Sequence, residues 1–398
     1  MKNFYIFTFI MTIWSLSNLY APFQVLLFNE MGLSIFQIAI VFSSFSIVAL
    51  IADPIFGKLS DKIGRKSMIL SGMFTKALTP IFYVLVFAKS IVCLIGVRIF
   101  HAISHAFMTP ITYAYTQDVV EKKSSATFFG IYKSLTKVGV VLSSIIGGFV
   151  AASYGIKSVF ILSSIFLFIV FIISIPLLKE TLKKKRKREL EIDIDMRDEY
   201  EEYFSYKSGL IALAVLGFCL ALFSEIRLMI FPLFALEKGI NIVEIGMFFG
   251  IIQIFMIFSQ YIFGVLEDRI GTKLPLFIAY IIITTSIFIL SNAATFIYTV
   301  ISALLFSFGN SIATPASLSL LHRLIPKNKR GQYDGIYIAI QKIGAITGPL
   351  LAAIIVFMGY SFSFIFLLTG FIVLFGTIVS GILLKLQPFP QIMTKIKI

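Results

Sequence analysis

Long apolar runs separated by short polar segments cover almost the whole chain. Each run is long enough to cross a bilayer, since a spanning helix needs about 20 mostly apolar residues. A backbone inside lipid must satisfy its own hydrogen bonds, so runs of this length predict helices. The pattern predicts an all-α polytopic membrane protein with twelve transmembrane helices. The predicted helices are residues 4–28, 35–57, 67–88, 90–117, 126–150, 156–178, 208–234, 242–266, 274–291, 294–321, 332–357 and 360–385.

Composition agrees with this class and excludes others. The chain is 58% hydrophobic and 14% charged, whereas soluble domains contain about 45–50% apolar residues. A net charge of +14 could indicate a nucleic-acid binder. The Lys and Arg residues, however, cluster in the loops between spans, where they set topology and attract anionic lipid. We therefore expect membrane lipid, and no nucleic acid, as a partner.

No cofactor or metal site is expected. Cys93 and Cys219 both lie in apolar runs and have no metal-ligand spacing. The chain has no Gly-x-x-x-x-Gly-Lys-[Ser/Thr] phosphate loop, so ATP is not the expected energy source. No nucleophile–base arrangement is evident either, and the protein is not expected to be an enzyme.

The distribution of basic residues predicts the topology. The loops after spans 2, 4, 6, 8 and 10 carry most of the charge, and the other loops are short and nearly neutral. With an even number of spans, this bias predicts a multi-pass protein of the plasma (cell) membrane with both termini in the cytoplasm. The first apolar run is longer than that of a signal peptide and lacks a small-residue cleavage site, so it is expected to be the first span.

A charged segment divides the chain into two halves. Residues 179–207 form a predicted cytoplasmic linker between a domain of residues 1–178 and a domain of residues 208–398. The linker contains the basic run Lys183–Arg188, followed by an acidic run. We expect the basic part to lie on lipid headgroups. A regulatory or partner-binding segment is the alternative.

The two halves are internal repeats. Ser34 with Gln37, and Asn241 with Glu244, have the spacing of capping boxes and are predicted to start helices 2 and 8. The pairs at offsets of 207 and, later, 205 residues include Gly57/Gly264, Asp61/Asp268, Gly64/Gly271, Gly139/Gly344 and Lys137/Lys342.

The ten residues Gly57–Lys66 join two spans in a tight and strongly basic turn. This stretch resembles the signature G-x-L-[SA]-D-[KR]-x-G-R-[KR] between helices 2 and 3 of major facilitator superfamily transporters, and every defined position matches. The resemblance implies the major facilitator fold, in which two pseudo-symmetric six-helix bundles alternate access to a site at their interface. Together with the repeats, it covers the whole chain.

The same resemblance implies a gate at the cytoplasmic end. In this family Asp61 would lie near the positive N-terminus of helix 11, and Arg65 would pair with an acid at the end of helix 4, which is Asp118 here. In the second half Thr272 replaces the arginine, so we expect a weaker latch there. The predicted gating residues are Gly57, Asp61, Gly64, Arg65, Lys66, Asp118, Gly264, Asp268 and Gly271.

Small residues indicate close helix contacts on helices 5 and 11. Gly344–Pro349 resembles the G-x-x-x-G-P motif that antiporters of this family carry on helix 5, whereas helix 5 here lacks the proline. We expect the small faces to lie at the interface between the domains. The residues concerned are Gly139, Gly147, Gly344, Gly348 and Pro349.

Charged side chains inside spans are costly and are therefore candidates for function. Glu225, past the middle of helix 7, is the candidate proton-coupling residue, because an unpaired carboxylate on a cavity helix can bind a proton. Arg227 is two residues on and points to the opposite face. Three polar residues complete this set: Asn18, the repeat counterpart of Glu225; Gln253, a candidate hydrogen-bond partner; and Asn310.

Other charged groups lie on helices 2, 3 and 4. The position of Arg98 resembles the helix-4 arginine of drug/proton antiporters, which can tune a nearby carboxylate or bind an anion. His101 and His105 share its face, and we expect satisfied interior histidines, with a proton relay as the alternative. Asp53 and Lys76 lie at similar depth and are expected to form a salt bridge. A proton site at Asp53 is the alternative.

Two functions follow from these residues. The first is secondary active transport, with proton-coupled efflux of amphipathic small molecules or drugs through a cavity on helices 1, 4, 7 and 10. The alternative is a carrier, by symport or exchange, for an anionic metabolite bound by Arg98, Lys137 and Lys342. A transporter-shaped sensor without turnover is a third. The expected partners are a small-molecule substrate and protons, and the protein is expected to be a monomer.

Overall fold

The computed structural model describes residues 2–86, 90–120, 125–181, 196–326 and 329–385. In these ranges the chain is almost entirely helical and contains no strand, which confirms the predicted all-α class. The first half contains α1 (Lys2–Leu16), α2 (Gln24–Glu30), α3 (Ile35–Ile63), α4 (Arg65–Leu85), α5 (Ile91–Ala106), α6 (Thr109–Asp118), α7 (Ser125–Tyr154) and α8 (Ile156–Leu177). The second half contains α9 (Met196–Glu237), α10 (Ile242–Ile251), α11 (Ser259–Ile270), α12 (Lys273–Ser291), α13 (Phe296–Leu324), α14 (Arg330–Phe357) and α15 (Phe362–Lys385).

These helices follow the predicted spans in order. In the described part of the chain, eleven helical stretches are long and apolar enough to cross a membrane, and a twelfth, Ile242–Phe258, is apolar but shorter. Helix α9 begins at Met196, so part of the predicted linker is helical. The basic run Lys183–Arg188 lies outside the described residues.

The repeat is visible at both ends of corresponding helices. Ser34 and Asn241 cap α3 and α10, and each closes the predicted capping box with the glutamine or glutamate three residues on. Gly64 lies between α3 and α4 with φ of 117°, and Gly271 lies between α11 and α12 with φ of 73°. Both glycines adopt a backbone conformation that side-chain-bearing residues rarely take, which explains their place in the two tight turns.

Three predicted spans are broken rather than continuous. The first is interrupted between α1 and α2, the fourth between α5 and α6, and the eighth between α10 and α11. Pro22 and Pro110 lie at the starts of the helical segments that follow the first two breaks, where the missing proline N–H costs nothing. Irregular backbone within a membrane is tolerated where it lines a cavity or where neighbouring groups satisfy it.

The break between α10 and α11 shows how neighbouring helices satisfy the freed backbone. The Phe255 N–H donates to Ser307 Oγ of α13 at 3.0 Å. Ser134 Oγ of α7 donates to the Ile257 carbonyl. Side chains of two neighbours therefore replace lost helical hydrogen bonds, and Gln253 lies within the break.

Two helix pairs make the most extensive contacts between the halves, α3 with α14 and α7 with α10, and α2 also contacts α9. We call the first two pairs the α3–α14 seam and the α7–α10 seam. In the α7–α10 seam the backbones are close, because a Cβ added to Gly246 would lie 2.5 Å from the Ser144 carbonyl oxygen. In the α3–α14 seam, Ser43 Oγ donates to the Ile346 carbonyl at 3.0 Å.

The glycines predicted to lie between the domains pack inside each half instead. A Cβ on Gly139 would clash with a carbonyl oxygen of α1, and a Cβ on Gly344 would clash with a carbonyl oxygen of α9. Gly147 approaches Leu19 and Phe23 in the break after α1, and Gly348 approaches the Leu222 carbonyl oxygen of α9. Their expected interdomain position is therefore wrong: the small faces bring α7 onto α1 and α14 onto α9. Pro349 is buried within α14.

Buried apolar side chains form two clusters in the described chain. The larger joins the second half to the part of the first half near the loop Glu30–Ile35. The smaller, which extends from Phe4 to Leu178, is confined to the first half near the turn Gly57–Lys66. We call the end that holds this turn the basic end and the other the opposite end. The halves thus share buried packing at the opposite end. At the basic end the smaller cluster contains residues of the first half alone.

Candidate functional site

A cavity of about 430 Å³ lies within the first half. Helices α1, α4, α5, α6 and α7 line it, together with the breaks at Asn18 and Met108. Its polar lining includes Asn18, Lys76, His105, Lys133 and Lys137, and its apolar and aromatic lining includes Met11, Trp14, Met108, Tyr113, Tyr132 and Val140.

The three lysines of this cavity have neutral partners. Lys133 Nζ donates to Tyr113 Oη at 3.0 Å and lies over that ring, 4.5 Å from its centroid. Lys137 Nζ donates to Gln253 Oε1 of the second half at 2.8 Å. Lys76 Nζ contacts His101 Nε2. In the described chain, none of these ammonium groups forms an ion pair with a carboxylate.

Arg98 lies outside the cavity lining, in a pocket of its own. Its side chain is 4% exposed and donates to Gln24 Oε1. The guanidinium stacks over the rings of Phe42 and Phe45, at 4.5 Å and 5.0 Å from the centroids. The sequence indicated Arg98 but not the amide and the two aromatic rings around it. These come from α2 and α3, and the pattern along one helix does not show which helices pack against it.

His101 is an interior histidine with hydrogen-bond partners, as expected. Its ring nitrogens lie 3.3 Å from Tyr20 Oη and 3.2 Å from Tyr83 Oη, and Lys76 is the third contact. The group connects α4 and α5 with the break after α1.

Asp53 joins the two halves through the α3–α14 seam. Its carboxylate lies 3.7 Å from Lys342 Nζ and 3.6 Å from His105 Nδ1. The expected Asp53–Lys76 salt bridge is therefore wrong. The two residues do sit on antiparallel helices, but Asp53 faces α14 and α5, whereas Lys76 faces His101.

Glu225 has no hydrogen-bond or ion-pair partner among the residues that the structure describes. The charges of Arg98, Lys342 and Arg227 act on its carboxylate from a distance. Arg227 is 8% exposed and lies over the Phe306 ring, 4.5 Å from its centroid. As expected, it makes no ion pair with Glu225. The candidate bond between Gln253 and Glu225 is not formed in the described chain, where the recorded side-chain bond of Gln253 is the one its Oε1 accepts from Lys137.

The two predicted asparagines lie in different surroundings. Asn18 lines the cavity, and its buried Oδ1 has no hydrogen-bond partner in the described chain. Asn310 Nδ2 lies 3.6 Å from Met256 Sδ, and its Oδ1 accepts from Thr314. Arg98, Lys137 and Lys342, the cations suggested for a metabolite anion, are not brought together: only Lys137 lines the cavity.

The predicted gate of the first half is assembled at the basic end. Arg65 Nη2 donates to Asp61 Oδ1 at 2.6 Å, and Arg65 Nε donates to Asp118 Oδ2 at 3.4 Å. The Arg65 side chain is 12% exposed and the Asp61 side chain 61% exposed. Asp61 thus bonds within its own half, and its expected approach to the start of α14 is not among its contacts.

Glu180, which follows α8, completes this gate and was missed in the sequence. Its carboxylate accepts from the N–H groups of Arg65 at 2.9 Å and Lys66 at 3.1 Å, at the N-terminus of α4. An acid at a helix N-terminus satisfies free amides and the helix dipole together. The signature of the turn covers Gly57–Lys66 only, and Glu180 lies 115 residues from Arg65, so the motif gave no signal for it.

The second half has an ion pair of the opposite polarity at the equivalent place. Arg323 is the repeat counterpart of Asp118 at the offset of 205 residues. Its Nη2 donates to Glu267 Oε1 at 2.6 Å, and the hydroxyl groups of Thr272 and Ser319 donate to the same oxygen. The expectation of a weaker latch rested on Thr272 alone and missed this replacement. Glu267 follows the predicted eighth span. Burial raises the pKa of Glu267, but these hydrogen bonds and the Arg323 charge outweigh it and hold that pKa below its ordinary value.

The remaining gate positions add little contact. Gly57 meets Pro110 at an ordinary distance, and Gly264 faces open space. The side chain of Asp268 lies outside the described part of the chain. Among the described residues, no group of three His, Cys, Asp or Glu side chains is placed to hold a metal ion.

Comparison with known proteins gives the family. The family model of the Major Facilitator Superfamily matches residues 5–298 and 213–395. An uncharacterised MFS-type transporter of Methanocaldococcus jannaschii is 26% identical over 333 residues, which cover 83% of this chain and 84% of that protein. The tetracycline resistance protein, class H, of Pasteurella multocida is 25% identical over 88% of this chain and 86% of its own. The multi-drug resistance efflux pump PmrA of Streptococcus pneumoniae is 25% identical over 84% of each chain.

Solved structures share the fold. A bacterial homologue of the human lysosomal transporter Spinster, inward-facing and unoccupied, gives a TM-score of 0.76 at 14% identity over 96% of each chain. A mutant of the nucleoside transporter NupG gives 0.77 at 14% identity, over 96% of this chain and 98% of its own. The spans, the two repeated halves and the matched family model lead to one conclusion. This multi-pass membrane protein belongs to the major facilitator superfamily of transporters.

Proposed function

We propose that the protein is a secondary active transporter of the cell membrane that exports amphipathic small molecules in exchange for protons. The single observation that carries proton coupling is Glu225, a carboxylate inside a span with no described partner. An intramembrane acid is costly unless it is paired or protonated, so this position is suited to a group that gains and loses a proton.

Relatives support the direction and the class of substrate. Two of them are a tetracycline resistance protein and a multi-drug resistance efflux pump. Both are similar to this chain over more than four-fifths of its length. On this basis we propose that the transport is export and that the substrate is amphipathic. The charges of the loops support a cytoplasmic location for the basic end and for both termini.

Alternating access is the proposed mechanism. The halves are packed together at the opposite end, and the smaller cluster at the basic end belongs to the first half alone. This arrangement supports an inward-open state, with substrate entering from the basic end. Closure of the basic end would bring the Arg65 turn towards α14. Opening of the opposite end would part the helices of each seam.

In this mechanism Glu225 takes a proton in the outward-open state and releases it inward. Its charge then acts together with those of Arg98 and Lys342, which lie in electrostatic range. Protonation changes the balance of charge between the halves, because Arg98 belongs to the first half and Lys342 to the second. The proton thereby biases the equilibrium between the two states, which is the free-energy coupling that exchange requires.

The test is Glu225→Gln in proteoliposomes with an imposed pH gradient and a panel of cationic, anionic and uncharged amphiphiles. We expect gradient-driven accumulation to fall at least about tenfold, because the variant cannot exchange the proton, while substrate exchange without a gradient persists. Glu30→Gln, at an exposed acid of the opposite end, is the matched control and should keep full coupling. Accumulation that still follows the pH gradient in Glu225→Gln would remove Glu225 from the mechanism.

A further inference from the structure

We propose that the cavity of the first half binds amphipathic anions, with the acidic group held by Lys133 and Lys137 and the apolar body placed against Trp14. This inference deepens the proposed transport function by naming its substrate class, and it rests on that function only for the claim that the bound molecule is transported.

The charge of the cavity is the first argument. Lys76, Lys133 and Lys137 line it, and no Asp or Glu is among its described lining residues. Their partners are a histidine, a phenol and an amide, none of which carries a compensating negative charge. Cations held inside a membrane without an anion are costly. A ligand with an acidic group would supply the missing counter-charge.

The acids of the interior do not take this role. Asp53 is engaged with Lys342 and His105 in the α3–α14 seam. Glu225 has no ion pair with any cavity lysine. The positive charge of the cavity is therefore available to a ligand in the conformation described here.

The spacing of the lysines is the second argument. Lys133 and Lys137 are four residues apart on α7, so they lie one above the other on one helix face. Thr136 and Thr112 also line the cavity, but their hydroxyl groups donate to backbone carbonyls of their own helices. The Tyr113 hydroxyl, which accepts from Lys133, lies beside the two lysines. Two ammonium groups with this hydroxyl suit a carboxylate, sulfonate or phosphate, which accepts several hydrogen bonds at once.

The apolar lining and size are the third argument. Met11 and Trp14 of α1, Met108 before α6 and Val140 of α7 provide the apolar part of the lining. A cavity of about 430 Å³ falls in the range of small-molecule sites. A lining that combines lysines with apolar and aromatic side chains selects an amphiphile and not a small hydrophilic ion.

Trp14 provides a direct measurement, because it is the single tryptophan of the chain and lines this cavity. We would titrate the purified full-length protein in nanodiscs with anilinonaphthalene sulfonate and, separately, with phenyl-naphthylamine, which has the same rings without the sulfonate. Energy transfer from Trp14 to either probe reports binding in the cavity. Protein carrying Trp14→Phe gives the probe fluorescence that does not come from Trp14, and the saturable part of the remaining signal measures binding in the cavity.

The expected result is that the sulfonate binds about tenfold or more tightly than the uncharged probe, since charge-assisted hydrogen bonds contribute the difference. Lys133→Gln combined with Lys137→Gln should abolish this preference. Lys133→Arg combined with Lys137→Arg should retain it, because both charges remain. Lys157→Gln, at an exposed lysine of the opposite end, is the matched control and should also retain it.

Equal affinity for the two probes, or a preference that survives the double glutamine variant, would overturn the inference. Glu225→Gln separates it from the proposed function. If that variant binds the sulfonate normally and loses only gradient-driven transport, both proposals stand. A preference for the sulfonate without any transport in a pH gradient would support the anion site and contradict the proton-coupled exporter. Transport of uncharged or cationic probes alone would support the exporter and contradict the anion site.

Discussion

The two seams that join the halves each contain one lysine that reaches across, and the two lysines are repeat counterparts. At the end of the α7–α10 seam, in the break that follows α10, the neutral amide of Gln253 accepts from Lys137 of the first half at 2.8 Å. In the α3–α14 seam, Lys342 of the second half lies 3.7 Å from the Asp53 carboxylate. One lysine charge is thus paired with an acid and the other is left uncompensated.

This difference separates two tasks that the fold must perform. A lysine paired with an acid across a seam favours one arrangement of the halves, because separation would leave two unpaired charges in the protein interior, away from water. A lysine that faces a neutral amide keeps its charge available for a ligand. The α3–α14 seam is therefore suited to hold the halves together, and the Lys137 charge at the α7–α10 seam is available to the proposed anionic ligand.

The largest expected effect comes from removing the acid of the α3–α14 seam. Asp53→Asn leaves Lys342 and His105 without their carboxylate, and we expect a loss of about 3 kcal/mol of stability, the low end for breaking a buried pair. The low end applies because the Asp53 side chain is 20% exposed. Thermal unfolding of the detergent-solubilised protein measures this loss.

The double variant Asp53→Asn with Lys342→Gln sharpens the result. If the pair is coupled, removing Lys342 as well should recover part of the loss, with an interaction energy of about 0.5–3 kcal/mol. Strictly additive losses would show that the two side chains do not interact, and the contrast between the seams would fail.

The second effect concerns backbone contact in the α7–α10 seam. Gly246→Ala introduces a Cβ that would lie 2.5 Å from the Ser144 carbonyl oxygen and 2.9 Å from Gly148 Cα. Backbone cannot yield as a flexible side chain does, so we expect a loss of about 2 kcal/mol, as for overpacking in a core. Gly335→Ala is the control, since nothing lies within 4 Å of its added Cβ. Unchanged thermal stability in Gly246→Ala would mean that this seam is looser than the structure shows.

Local features of this architecture could be predicted from the sequence, but the helices that these features contact could not. Asp61 and Arg65 are four residues apart on adjoining helices, so their contact follows from the motif itself. The small faces at Gly139 and Gly344 were recognised, but which helix they meet depends on the rotation of α7 and α14. A single sequence does not contain that rotation, and the predicted interdomain contact was wrong for this reason.

The polar interior shows the same division. A similar predicted depth of Asp53 and Lys76 does not name a partner: Asp53 contacts Lys342 and His105, whereas Lys76 contacts His101. Pro22 and Pro110 could have indicated the breaks in the first and fourth spans. The break around Gln253 has no proline and depends on Ser134 and Ser307 of other helices, so the sequence offered no local signal for it.

The smallest expected effect on stability tests the comparison most directly, because it gives the α7–α10 seam what the other seam already has. Gln253→Glu places a carboxylate at the position that accepts from Lys137. We expect the free energy of unfolding to rise by about 1 kcal/mol, as the neutral hydrogen bond becomes a charge-assisted one. Thermal unfolding measures the rise.

The same variant should weaken binding of the anionic naphthalene probe to about the affinity of the uncharged one, since the new carboxylate satisfies Lys137 internally. It should also slow transport, because the halves would then be held by ion pairs in both seams. Gln332→Glu, at an exposed position near the start of α14, is the matched control for adding a negative charge. Gain of stability without loss of anion binding would show that the Lys137 charge is not what the ligand uses, and would leave the two seams chemically different but functionally alike.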